Sequence, residues 1–169
     1  WRGFWPQHKD VPIWGEAFLV GIVEGMKYVA LLRGIGPGNP NMRNNKLREP
    51  FEKLGFNNIQ TVISSGNVLF ETDRTDIQEL ETEIEEAIVL QLGFSSSVII
   101  RSEEQLRELV KVNPFKGLTH GPGSYLLVTF FKQPTDVSFK IPYQPKGKTY
   151  GFIYTTKKGL CSTTDNRVV

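Results

Sequence analysis

The chain has 169 residues, 39% of them apolar and 22% charged, with a formal net charge of +2. That length suits one medium domain or two small ones with a real core, and the balanced charge gives no bulk attraction to nucleic acid or a membrane surface. A single cysteine excludes an internal disulfide and fits a reducing, cytoplasmic compartment.

Residues 1–25 are rich in Trp and Pro and precede Met26. They read as an extension or a non-native leader, poorly ordered. Their apolar part, 17–23, is too short to span a bilayer, and its acidic flanks do not suit a signal peptide.

Residues 27–33 are apolar without alternation, which predicts a strand covered on both faces. A loop with three glycines and two prolines follows, 34–42. The next segment predicts a helix over 44–54, with Asn44 as N-cap and Gly55-Phe56 as the stop. Pro50 stands inside it and should strain it. Residues 59–63 and 68–71, joined by Ser64-Ser65-Gly66-Asn67, predict a hairpin.

Residues 75–92 place Ile77, Leu80, Ile84, Ala87, Ile88 and Leu92 on one stripe, which predicts an amphipathic helix. Thr75 and Gln78 are placed for a capping box. Glu79, Glu81, Glu83, Glu85 and Glu86 read as its solvated face. Gly93-Phe94 repeats the earlier Gly55-Phe56 stop, and a strand at 98–100 follows. Strand, helix, strand, strand, helix, strand is the order of a ferredoxin-like split βαβ unit, with strand order 4-1-3-2.

Ser102 and Gln105 form a capping box for a third helix, which Asn113-Pro114 stops. Residues 125–131 predict a strand, 134–148 an irregular connection, and 150–155 with 160–163 a closing hairpin. The expected fold class is therefore α+β. A ferredoxin-like unit spans 26–101, and a second, incomplete α+β unit spans 102–169.

From Met26 the residues resemble a bacterial family of unassigned activity, domain-of-unknown-function family 1697. The resemblance rests on MKYVALLRGI at 26–35, Leu47-Arg48, FEKLGF at 51–56 and ISSGNVLFE at 63–71, with a looser match at Asn113-Pro114-Phe115 and 162–166. It implies a cytoplasmic, soluble protein built of ferredoxin-like α+β units, and it supplies no catalytic residues. The family pattern continues into a further helix and a basic, Trp-containing tail that this sequence lacks. It also has a helix former where Pro50 stands.

Several motifs bear on chemistry. His8 and His120 have no Cys or His at ligand spacing, so no metal site is expected. Cys161, in a strand-like run, reads as a buried small hydrophobe. Gly34, Gly36 and Gly38 lie between a strand and a helix, but their spacing fits neither a dinucleotide fingerprint nor a P-loop, so no cofactor is expected. In a 4-1-3-2 sheet one edge gathers Arg33, Gly34, Gly36, Gly38 and Asn39 with Ser64, Ser65 and Asn67, and with 95–97. Hydroxyls, amides, backbone N–H groups and one cation there form a candidate site for a small anionic ligand. Tyr150, Phe152 and Tyr154 alternate near Lys148, Lys157 and Lys158, a pattern that could stack single-stranded nucleic acid but reads first as a packed sheet face. The functional expectation is a small-ligand or anion-binding module without familiar catalytic residues. An enzyme acting on a phosphorylated metabolite and an RNA-associated module are the alternatives. Oligomeric state is not legible.

Overall fold

A computed structural model of the chain describes residues 25–36, 38–62 and 66–164. The leader expected at 1–25 lies outside the described residues, apart from Gly25. In chain order the elements are β1 (Met26–Leu32), a 3-10 turn (Pro40–Met42), α1 (Asn44–Lys53), β2 (Asn57–Val62), β3 (Asn67–Thr72), α2 (Ile77–Leu92), β4 (Val98–Ser102), α3 (Glu103–Val112), β5 (Leu126–Phe130), β6 (Gly151–Thr156) and β7 (Gly159–Thr163).

The first sheet has the order β2-β3-β1-β4, which is the expected 4-1-3-2 read from the other edge. Strand β1 is internal and antiparallel to both β3 and β4. Leu47 and Phe51 of α1 and Leu80, Ile84 and Ile88 of α2 close over Ala30, Val68, Phe70 and Ile100. Phe70 stacks on Phe56 at 4.7 Å and also meets Phe51 and Tyr28. Phe56 reaches that cluster because Gly55, at φ 76°, turns the chain sharply out of α1. The fold is α+β, as expected.

Three local expectations are corrected. The α2 cap is Asp76, whose side chain accepts the Glu79 N–H at 3.0 Å, and not Thr75. Asn44 is the first residue of α1 and not its cap; Arg43 holds the cap position without a side-chain bond. Strand β1 is not equally covered on both faces: Tyr28, Ala30 and Leu32 are buried while Val29 and Leu31 are half-buried. An apolar run gives no alternation when its outer face is itself partly covered, so the pattern could not separate the two cases.

The second sheet has the order β5-β7-β6. The Ser102–Gln105 capping box is present and opens α3, which Asn113 closes in the left-handed region. Arg101, at the end of β4, joins the two sheets: its guanidinium donates to the Phe131 and Lys158 carbonyls and lies 5.5 Å over the Phe130 ring.

Candidate functional site

The expected edge at the end of β1 does bring its loops together. Leu32 N–H donates to Gly66 O at 3.2 Å, Arg33 N–H to Ser97 O at 2.9 Å, and Ser96 Oγ to Arg33 O at 2.9 Å. Gly66 packs so closely on Ile35 that an added Cβ would sit 2.5 Å from its Cγ1. Arg33 is exposed, and its guanidinium has no partner among the described residues. Several other donors and acceptors of the loop are already paired. Gly36 N–H points at Met42 Sδ at 3.1 Å, and Asn39 Oδ1 accepts the Asn41 N–H at 2.9 Å. Asn41 Nδ2 donates to Leu92 O at 3.1 Å. Gly34 and Gly38 are exposed, and Asn67 lies in the ladder opposite Leu31 and Val62. Ser64 and Ser65 lie outside the described residues.

A second feature was not foreseen. Between α3 and one face of the second sheet lies a groove of about 660 Å³. Leu106, Leu109 and Val112 of α3 form one wall, and Val128, Phe130, Tyr154 and Cys161 form the floor. Lys111, Lys157 and Lys158 line it together with a single acid, Glu108. Arg101 also lines it; burial pulls its guanidinium below the usual range, opposed by the charge of Glu81. Its Nη1 donates to Ile100 O at 2.6 Å, while its buried Nε has no partner. Burial pushes the Cys161 thiol up to about 11, so it stays protonated at neutral pH and is a poor nucleophile. It is the buried small side chain expected from its strand.

The register of the second sheet dissolves the aromatic stripe. A bulge between Phe152 and Tyr154 sets Phe152 opposite Ser162 and Tyr154 opposite Cys161. Neighbouring residues of β7 point to opposite faces, so Phe152 and Tyr154 do too. Tyr154 enters the groove floor, and Phe152 packs with Phe139, Tyr143 and Tyr150 on the far side. No single face carries all three rings for stacking bases.

The glutamates of α2 are not simply a solvated face. Glu83 forms a two-pronged ion pair with Arg74 at 2.6 and 2.8 Å, which lowers its pKa. Glu85 accepts the Val98 N–H at 2.7 Å and pairs with Lys132. Glu81 is buried and accepts the Ile100 N–H. One sequence signal pointed there: Glu81 falls on the apolar stripe, four residues after Ile77 and three before Ile84.

Among the described residues no group of three or more His, Cys, Asp or Glu side chains could hold a metal ion. No helix among them is long and apolar enough to cross a membrane.

No curated protein matches the chain. The chain is similar to the solved structure of a conserved bacterial protein, SP0830 from Streptococcus pneumoniae, with a TM-score of 0.60 and 19% identity over 83% of this chain and 77% of that one. That likeness shows the fold. The family model described as a protein of unknown function, DUF1697, matches residues 26–147. The chain therefore belongs to the DUF1697 family.

Proposed function

We propose that this chain is a binding module for a small ligand that carries an anionic group on an apolar body. The groove between α3 and the second sheet carries the reading, because it pairs an apolar floor with a basic lining in about 660 Å³. Small-ligand sites occupy about 300–1,000 Å³ and combine an apolar lining with a few polar groups that fix orientation. Three lysines against one glutamate favour a carboxylate or phosphate over a cation. The apolar body rests on Val128, Phe130 and Leu109, and the anionic end meets Lys111, Lys157 or Lys158. The protonated Cys161 thiol fits binding better than covalent chemistry.

A second reading keeps the anion at the β1 end, on Arg33, Gly34, Gly36, Gly38, Asn39, Ser64, Ser65 and Asn67. The exposed Arg33 guanidinium, unpartnered among the described residues, favours it. An enzyme using that edge to hold a phosphorylated metabolite belongs to the same reading.

Melting curves separate the two. A ligand that binds only the folded state raises the melting temperature. Octanoate, an apolar chain with a carboxylate, is expected to raise it for the wild type and not for Leu109→Glu, which sets a negative charge in the groove wall. Phosphate has no apolar body. If phosphate alone stabilises the protein, and Arg33→Ala abolishes the effect, the second reading holds. If neither anion raises the melting temperature, both are wrong.

A further inference from the structure

Each sheet ends in two edge strands, and an unpaired edge is a template for another strand. Three of these four edges carry a device against pairing. Strand β2 is exposed and polar at Asn57, Asn58 and Gln60, and its register breaks there, with Asn58 at φ 49°. Strand β4 has the Val98 and Ile100 N–H groups occupied by Glu85 and Glu81. Strand β6 meets Tyr143, which exchanges both main-chain bonds with Phe152 at 2.9 and 2.8 Å.

Strand β5 is different. Phe131 N–H donates to Lys158 O and Thr164 N–H to Tyr125 O, so the odd-numbered residues of this stretch turn their main-chain groups to β7. The N–H groups of Leu126, Val128 and Phe130 therefore point away from the sheet. Leu126 N–H is taken by His120 Nδ1 at 3.1 Å. Those of Val128 and Phe130 have no partner among the described residues. The stretch YLLVTFF from Tyr125 to Phe131 holds no charge, proline or glycine, and Tyr125 and Leu127 are 51% and 52% exposed.

We infer that this edge pairs with the same edge of a second copy of the chain, antiparallel, about a two-fold axis at Thr129. In that register Val128 of one copy lies opposite Phe130 of the other, and these are the hydrogen-bonded pairs. The open amides of both strands are satisfied, and Leu126 keeps His120. Thr129 faces Thr129, and Leu127 faces Phe131, so no like charges meet and exposed apolar groups cover one another. A strand that fits its own copy in this way satisfies the requirement of a two-fold interface, where the same patch serves both partners. The inference does not depend on what the groove binds.

Thr129 is exposed and its main-chain groups face β7, so its side chain can be changed without touching the β5–β7 ladder. Sedimentation equilibrium of the full chain over a concentration series is the test. The wild type is expected to dimerise. Thr129→Lys and Thr129→Glu should each be monomeric at concentrations where the wild type is dimeric, because each sets a like charge against itself. An equimolar mixture of the two should dimerise again. A wild type that stays monomeric, variants that dimerise as well as it does, or a mixture that does not recover overturns the proposal. Amide exchange in the wild type gives a check free of substitutions. The Val128 and Phe130 amides should exchange more slowly as concentration rises, and exchange independent of concentration overturns the pairing.

Discussion

Glu81 Oε1 accepts the Ile100 N–H at 2.9 Å, with Glu81 only 2% and Ile100 only 1% exposed. Four residues on, Glu85 does the same for Val98 at 2.7 Å. The match is geometric. Four helical residues rise about 6 Å and two strand residues about 6.6 Å, so glutamates four apart on α2 meet alternate outward amides of β4. Lys132 bridges both carboxylates, and Arg101 takes the Ile100 carbonyl. An edge strand is thereby closed by side chains alone.

Replacing Glu81 tests that closure. Glu81→Leu leaves the buried Ile100 N–H without an acceptor and should cost about 1–3 kcal/mol in urea unfolding. Glu81→Gln keeps an acceptor oxygen and should cost less. The pH dependence has a defined sign. Burial holds the Glu81 carboxyl above its ordinary range, opposed by the Ile100 N–H, Lys132 and Arg101. Between the unfolded and the raised folded pKa, the native state binds more protons than the unfolded one. The stability of the wild type relative to Glu81→Gln should therefore fall as pH rises through that window, and level off above it. A difference that grows with pH contradicts the burial.

Gly66 is held to glycine for two reasons. Its φ is 76°, and a Cβ would lie 2.5 and 2.9 Å from two side-chain atoms of Ile35. Gly66→Ala should destabilise the protein by about 2–4 kcal/mol, adding left-handed strain to overpacking. Ile35→Ala in the same chain should remove part of the added cost, because it takes away the Cγ1 at 2.5 Å while the Cβ at 2.9 Å and the left-handed strain stay. Purely additive effects in a double-mutant cycle would show that the two residues do not touch.

Pro50 lies inside α1 with its ring fully buried. A proline in a helix interior is about 3 kcal/mol worse than alanine. Pro50→Ala also removes two buried methylenes, worth about 1.6 kcal/mol at about 0.8 each. The helix effect is the larger, so the substitution should stabilise the protein by about 1 kcal/mol. A lower midpoint in urea would mean that the packing of the ring outweighs the helix.

The parts of this structure legible in the sequence are those set by local signals. The Leu-Gly-Phe stops at 54–56 and 92–94, the Ser102–Gln105 box and the hairpin at Gly66 place the elements of the first sheet, and their order leaves few topologies. The β1-end site is legible to the same degree: topology brings Arg33, Ser96 and Gly66 to one edge, but no pattern shows that Gly36 N–H turns to Met42. The groove was hidden because its walls, α3 and the second sheet, are brought together by contacts distant in sequence. Arg101 is buried among apolar neighbours by carbonyls 30 and 57 residues away. The bulge at 152–154 leaves no mark in the run GFIYTT, so alternation counted through it puts Tyr154 on the wrong face. Glu81 was misread because four other glutamates share its helix, and charge dominated periodicity.

The most direct test of the ligand-binding account is an NMR titration of isotope-labelled protein with octanoate. The account predicts saturable shifts in the amides of Leu106, Leu109 and Val112 on α3, and of Val128, Phe130 and Lys158 in the second sheet, with Arg33 and Gly34 unmoved. Shifts confined to Arg33, Gly34, Gly36 and Asn39, or no saturable shifts at all, would contradict it.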